Sequence, residues 1–211
     1  MKKSSNRNIV ITGASGDIAQ EIIKRLPHDH VYLFSRSLPV PELPSHVDIL
    51  INNAGFGIFA ELSDLKNDEI DEMFKVNTID LIKLTRDLKP KKVVNIASIA
   101  GKLPTAKSTV YAASKAAVIV FSDALRQEGA EVLTVNTGPV KTKFHSENAT
   151  YLKKVGQHAV TADFVAKKIV KNLSSRKREL NLPVSISVAA KLRALFPNLF
   201  DYFSLHFFNY K

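Results

Sequence analysis

Five short, β-branched apolar runs recur along this chain, and they limit its fold more than any other feature. They are Asn8-Ile9-Val10-Ile11-Thr12, Val31-Tyr32-Leu33-Phe34, Val47-Asp48-Ile49-Leu50-Ile51, Lys92-Val93-Val94-Asn95-Ile96-Ala97 and Glu131-Val132-Leu133-Thr134-Val135-Asn136. Continuous apolar runs of this length read as strands buried on both faces. Helical spacing fills most of the gaps. Ile18, Ile22 and Leu26 lie on one stripe that stops at Pro27, and Asp68–Val76, Thr78–Leu88 and a stretch reaching about Glu128 follow. A further helix, capped by Thr161, runs to about Leu173 and precedes a last short strand at Glu179–Leu182. Regular alternation of this kind implies an α/β chain, a doubly wound parallel sheet in a three-layer sandwich.

One gap breaks the pattern. Only residues 38–46 separate the second strand's turn from the third strand, and they include Pro39, Pro41 and Pro44. A complete crossover with its helix needs at least ~10–12 residues. The segment is therefore expected to be an extended, polyproline-like link. At ~3.1 Å per residue it reaches ~28 Å, enough to return to the start of the next strand. The sheet should then lack its outer strand 3 unit, leaving Val31–Phe34 at the edge.

The first strand runs directly into Gly13-Ala14-Ser15-Gly16-Asp17 and then a helix. Strand, glycine turn and helix form the setting of a dinucleotide-binding fingerprint, in which turn N–H groups face a pyrophosphate. Small residues at 13 and 16 allow close approach, and Ala19 can pack against the strand. Arg36, flanked by Ser35 and Ser37, ends the second strand, with no acidic residue before Glu42. An Arg at this place accommodates the 2′-phosphate of NADP, so NADP(H) is expected in preference to NAD(H). Asn52-Asn53-Ala54-Gly55 and Ser98 stand at carboxyl ends of strands, where open α/β sheets bind ligands. Asn77 lies mid-helix, where Asn is a poor former, and a tertiary role is expected for it.

Tyr111 and Lys115 are four apart on helical spacing, which sets phenol and ammonium on one face. A neighbouring Lys⁺ favours phenolate and lowers a pKa that starts near ~10. With 5 Tyr and 22 Lys in 211 residues, about 0.5 such pairs arise by chance. The pair gains weight only from its company.

That company is Thr12-Gly13…Gly16, Asn52-Asn53-Ala54-Gly55, Asn77, Ser98 thirteen residues before Tyr111, and Gly138-Pro139-Val140-Lys141-Thr142. In this order the set resembles the short-chain dehydrogenase/reductase family, over about residues 8–182, and a shortened bacterial member of it. The resemblance implies a Rossmann-like domain at 1–182, with 183–211 as an amphipathic C-terminal extension. It implies reversible hydride transfer between NADP(H) and a small-molecule carbonyl or alcohol. Tyr111 would be the acid/base and Lys115 its pKa-lowering partner and ribose contact. Ser98 would orient the carbonyl, and Asn77 would hold a water. Gly13, Ser15, Gly16, Asp17 and Ile18 would line the phosphate turn, and Asn53, Ala54 and Gly55 the sheet centre. Gly138, Val140 and Thr142 would lie on the nicotinamide side. The family's usual turn has glycine where Asp17 and Ala19 stand here. Asp17 would sit badly near a pyrophosphate unless it points away or caps the helix. With the outer strand missing as well, a non-catalytic binding or sensor protein with an impaired cofactor site is the alternative reading.

Composition narrows the other possibilities. The chain is 45% hydrophobic and lacks Cys, which suits a globular protein of a reducing, cytoplasmic setting and excludes thiolate chemistry. Its net charge is +10, but no nucleic-acid motif accompanies that charge, and no nucleic-acid partner is expected. The only close histidines are His28 and His30, so no metal site is expected. No apolar run is long enough for a signal core or a membrane span. Residues 143–160 show no firm periodicity and read as a loop or short helices over the site. The tail, 184–211, reads as two amphipathic helices broken at Pro197, with Lys191 and Arg193 among its apolar residues. Peripheral membrane contact, a subunit interface and a core-covering helix all remain open for it. The small residues at 112–117 would permit close helix packing in a homo-oligomer.

Overall fold

The computed structural model describes residues 6–39, 41–145 and 159–207. Six parallel strands form one sheet in the order β2-β1-β3-β4-β5-β8. They are β1 (Asn8–Thr12), β2 (His30–Phe34), β3 (Ile49–Asn52), β4 (Lys92–Ser98), β5 (Glu131–Thr137) and β8 (Glu179–Leu182). A small parallel pair, β6 (Val140–Lys141) and β7 (Val160–Thr161), sits beyond the end of β5.

The period-2 geometry of strands divides the core. Ile9, Ile11, Ile51, Val94, Ile96, Leu133 and Val135 pack in one cluster with α1 (Asp17–Ile23) and α5 (Ala162–Asn172). The alternate residues Val10 and Leu50 meet Leu84 and Leu88 of α3 (Asp80–Leu88), while Ala97 meets Val118 of α4 (Thr109–Gln127). Each fully buried Ile, Leu or Val contributes roughly 1.5–3 kcal/mol of hydrophobic stabilisation. Residues expected to be helical up to Leu26 leave α1 at Ile23, where a short turn takes over before Pro27.

The trimmed link behaves as its prolines require. No helix or strand forms between Phe34 and Ile49 among the described residues. The chain crosses from β2 over β1 to β3 without a helix, and β2 is left at the edge of the sheet. Leu43 of the link packs with Val10, Val47, Leu50, Tyr32 and Phe34, covering part of the face that a crossover helix would otherwise bury.

The stretches Asp68–Val76 and Thr78–Leu88 are one continuous helical rod. Helix α2 (Asn67–Phe74) passes through a π-helical turn at Lys75–Ile79 into α3. The tail forms α6 (Ser185–Leu195) and α7 (Pro197–Phe207), joined by an Arg193–Asp201 contact at 3.4 Å. Val188, Leu192, Leu195, Leu199 and Tyr202 of these helices face outward. No helix among the described residues is long and apolar enough to cross a membrane.

A polar ladder crosses the buried α3/α4 face. Asn52 Nδ2 donates to Asn95 Oδ1 (2.8 Å) and Thr85 Oγ1 (3.2 Å), and Asn95 Nδ2 donates to Ser122 Oγ (2.8 Å). An apolar substitution at Asn95 orphans groups on both sides, at roughly 1–3 kcal/mol each. Asn95→Leu is therefore expected to lower unfolding free energy by about 3 kcal/mol in urea denaturation, with an unchanged m-value.

Candidate active site

The carboxyl ends of β1, β3, β4 and β5 open into a cleft of about 1020 Å³. At one end lies the glycine turn. Gly13 has φ +62°, and a Cβ there would lie 2.7 Å from Ala54 Cα, so only glycine fits between the two strand exits. Thr12 Oγ1 accepts the N–H groups of Asn53 and Ala54, both at 3.0 Å, and Asn53 Nδ2 donates to Gly13 O at 3.0 Å. These bonds lock the two turns together. Ser15 Oγ meets Ser35 Oγ at 3.2 Å, which meets Ser37 Oγ at 3.0 Å, joining the turn to the exit of β2. Arg36 stands beside them with its side chain 86% exposed and Glu72 at 4.0 Å.

At the other end are Ser98, Tyr111 and Lys115. Ser98 closes β4; its Oγ accepts from Ala100 N (3.1 Å) and donates to Thr137 O (3.4 Å). Lys115 is 4% exposed, and its Nζ donates to Ile96 O at 3.0 Å. Burial pushes this ammonium down to about 8. The Tyr111 ring is buried in an edge contact with Phe59 (centroids 5.3 Å) and a tilted contact with Phe144 (5.8 Å).

Asn77 does not line the cleft and acts from behind it. It sits in the π-helical turn, a feature that often marks functional positions. Its amide clamps Phe56, accepting from Phe56 N and donating to Phe56 O, each at 2.9 Å, and it also donates to Ser114 Oγ at 3.0 Å. Gly55 is held in the gap. A Cβ at Gly55 would lie 3.0 Å from Asn77 Oδ1 and 3.1 Å from Lys115 Nζ. The rod α2–α3, the exit of β3 and helix α4 therefore meet around Lys115.

Gly13, Ser15, Gly16, Asp17, Ile18, Arg36, Asn53, Ala54, Gly55, Gly138, Val140 and Thr142 all line this cleft, together with Ser98, Tyr111 and Lys115. Asp17 is directed to a specific partner: its Oδ2 accepts Lys143 N at 2.8 Å and makes no cap on α1. It pins the short Lys143–His145 turn to the glycine turn. The rest of the 143–160 loop, residues 146–158, lies outside the described residues. Spacing in the sequence does not reveal Phe59 and Phe144, because both sit in irregular segments. Their nearest signal is the aromatic and glycine mixture at 55–59.

Residues 39–152, more than half of the chain, match the family model described as short chain dehydrogenase. The chain belongs to the short-chain dehydrogenase family. A ketoacyl reductase of Nostoc sp. is 43% identical over 89 residues, 39% of this chain and 31% of the relative. An uncharacterized oxidoreductase of Escherichia coli K12 is 31% identical over 156 residues, 65% of this chain and 58% of the relative. The chain thus spans from under a third to under three fifths of the length of these two curated relatives. A short-chain dehydrogenase from Streptomyces avermitilis shares the fold with TM-score 0.78 and 21% identity, over 97% of this chain and 98% of that one. Other solved chains of this fold are complexes with NADP, NADPH or NADH.

The buried ammonium makes a measurable prediction for the ligand-free protein. Between about pH 8 and the ordinary value of 10.5, the folded protein has released this proton while the unfolded chain keeps it. Stability therefore rises with pH across that window. Relative to Lys115→Met, the wild type should gain up to ~3 kcal/mol between pH 7.5 and pH 10 in urea denaturation. Parallel curves for the two proteins would show that the ammonium is not desolvated.

Proposed function

We propose that this chain is an NADP(H)-dependent oxidoreductase that interconverts a small-molecule carbonyl and its alcohol. One observation carries the reading: Ser98, Tyr111 and Lys115 share a single cleft with a glycine turn and Arg36. The residues present suit a nicotinamide dinucleotide. The cleft is at the upper end of the volumes that ligands of this size occupy. The turn at Gly13–Gly16 offers close backbone approach to a pyrophosphate, and Lys115 offers an ammonium donor near the sheet centre. The cofactor, when bound, supplies or accepts the hydride.

The chain's own residues handle the proton and the orientation. Tyr111 gives its phenolic proton to the substrate oxygen in the reducing direction and takes it back in the oxidising one. Lys115 keeps its proton at neutral pH, given a value of about 8, and its positive charge favours the tyrosinate that reduction leaves behind. Ser98 donates to the substrate oxygen and fixes its direction. Asn77 holds the Phe56 backbone and Ser114, and so keeps Gly55 and the Tyr111 helix in register around Lys115. Phe59 and Phe144 make the substrate end apolar beside the tyrosine.

Tyr111→Phe retains the ring contacts and removes only the acid. It should lower turnover by about 10²–10⁴-fold while NADPH affinity, read by fluorescence titration, stays within twofold. Turnover equal to wild type would end this assignment.

The preference for the 2′-phosphate rests on Arg36. Among the described residues its one carboxylate neighbour is distant and exposed, a pairing worth little and easily exchanged for a phosphate. Arg36→Ala is expected to weaken NADPH binding about tenfold or more, with NADH affinity unchanged. An equal loss for both cofactors would remove the preference for NADP(H).

A further inference from the structure

A second cavity, of about 400 Å³, lies at the opposite edge of the sheet. Lys92 and Glu131, the first residues of β4 and β5, line it, whereas the last residues of those strands, Ser98 and Thr137, line the main cleft. Seven-residue strands separate the two openings by ~20 Å. The wall of the second cavity carries Lys92, Arg126, Arg176, Lys177 and Arg178.

Two of these cations are built into the fold. Lys92 is 6% exposed, and its Nζ is held by the carbonyl oxygens of Asn172, the last residue of α5, and Ser175 in the turn beyond it, with no carboxylate bonded to it among the described residues. The Arg126 side chain is 11% exposed; it donates to Val132 O (3.3 Å), Thr134 Oγ1 (3.1 Å) and Asp123. Its Nε is buried and finds no partner among the described residues. Arg178 lies 3.9 Å from the same Asp123. Arg176 and Lys177 make no ion pair among the described residues and are exposed at the mouth. Among the described residues five cations line the cavity with one carboxylate, Glu131, and Asp123 pairs with Arg126 and Arg178 from outside the lining.

A rigid, partly buried Arg beside a buried Lys, with flexible cations at the rim, suits a compact anion of more than one charge. Guanidinium forks match phosphate oxygens in pairs, and the cavity volume suits a small molecule. We propose that this cavity binds the phosphate group of a small phosphorylated ligand, at a site separate from the cofactor cleft. Burial also holds the Lys92 ammonium below its ordinary value, with Glu131 opposing, which is the electrostatic deficit that an incoming anion would relieve.

The test uses inorganic pyrophosphate as the probe in isothermal titration of the full chain. Arg176→Ala with Lys177→Ala should weaken its binding at least tenfold. Lys24→Ala with Lys83→Ala removes the same net charge elsewhere and should change it less than twofold, as should Arg36→Ala in the cofactor cleft. Absence of pyrophosphate binding by the wild type would overturn the proposal. So would an affinity unchanged in the Arg176/Lys177 variant, or an equal loss in the charge-matched control. Sedimentation with phosphatidylcholine vesicles containing phosphatidylinositol 4-phosphate separates two sources of the phosphate. Co-sedimentation that pyrophosphate competes away assigns a lipid headgroup, and pyrophosphate binding without sedimentation assigns a free phosphate ester. Pyrophosphate taken up at the Gly13–Gly16 turn is common to the wild type and the Arg176/Lys177 variant, so the difference between them reads this cavity alone and stands whether or not the proposed oxidoreductase activity does.

Discussion

A lysine ammonium buried at the middle of the sheet's carboxyl edge is the constraint on which this structure turns. Removing a charge from water costs several kcal/mol unless the surroundings replace the lost hydration. Among the described residues a single carbonyl, Ile96 O, is bonded to Lys115 Nζ, with Gly55 and Asn77 close by. Each neighbour is fixed by another part of the chain. Asn77 is placed by the π-helical turn, Gly55 by the clamp on Phe56, and Ile96 by the middle of β4. The group is therefore held in its charged form near neutral pH at a cost to stability, a common condition of residues that work on protons.

The polar ladder behind it serves the same end. Asn52, Asn95, Thr85 and Ser122 bond one another across the face that carries α3 and α4. An apolar interface there could slide by a residue with little penalty, but the specific donor–acceptor pairs of a buried polar network favour one register. Since α4 carries Tyr111 and Lys115, that register fixes where the phenol and the ammonium meet the cleft.

Much of this was legible in the residues. The strands were visible because buried parallel strands are short, continuous and β-branched, as in Ile9–Ile11 and Val93–Val94. The missing crossover was visible because three prolines within nine residues forbid a helix. Tyr111 and Lys115 were visible because helical spacing converts a separation of four into contact. Other features depend on tertiary meeting and leave no local trace. The π-helical turn inserts a residue into a periodic stretch that reads as two helices on either side of Asn77. Asp17 looks like an unwelcome charge until Lys143, far along the chain, supplies its N–H. Phe59 and Phe144 come together with Tyr111 from two loops, and Arg126 and Lys92 from a helix end and a strand start.

The helix-free link between β2 and β3 also has a consequence for how the chain finds its fold. β1 pairs with β3 through Ile9 and Ile49, forty positions along the chain, without an intervening βα unit between β2 and β3. Loop-closure entropy depends only logarithmically on length, each doubling costing about 0.6 kcal/mol, so the shorter connection eases closure slightly. Shorter separations between paired strands also favour faster search. The thermodynamic burden of omitting the unit falls on the apolar face at Val10 and Leu50, which Leu43 of the link covers together with Leu84 and Leu88 of α3. In this architecture the outermost βα unit is separable from the pairing of the central strands, and a short helix-free link with one well-placed leucine can stand in its place.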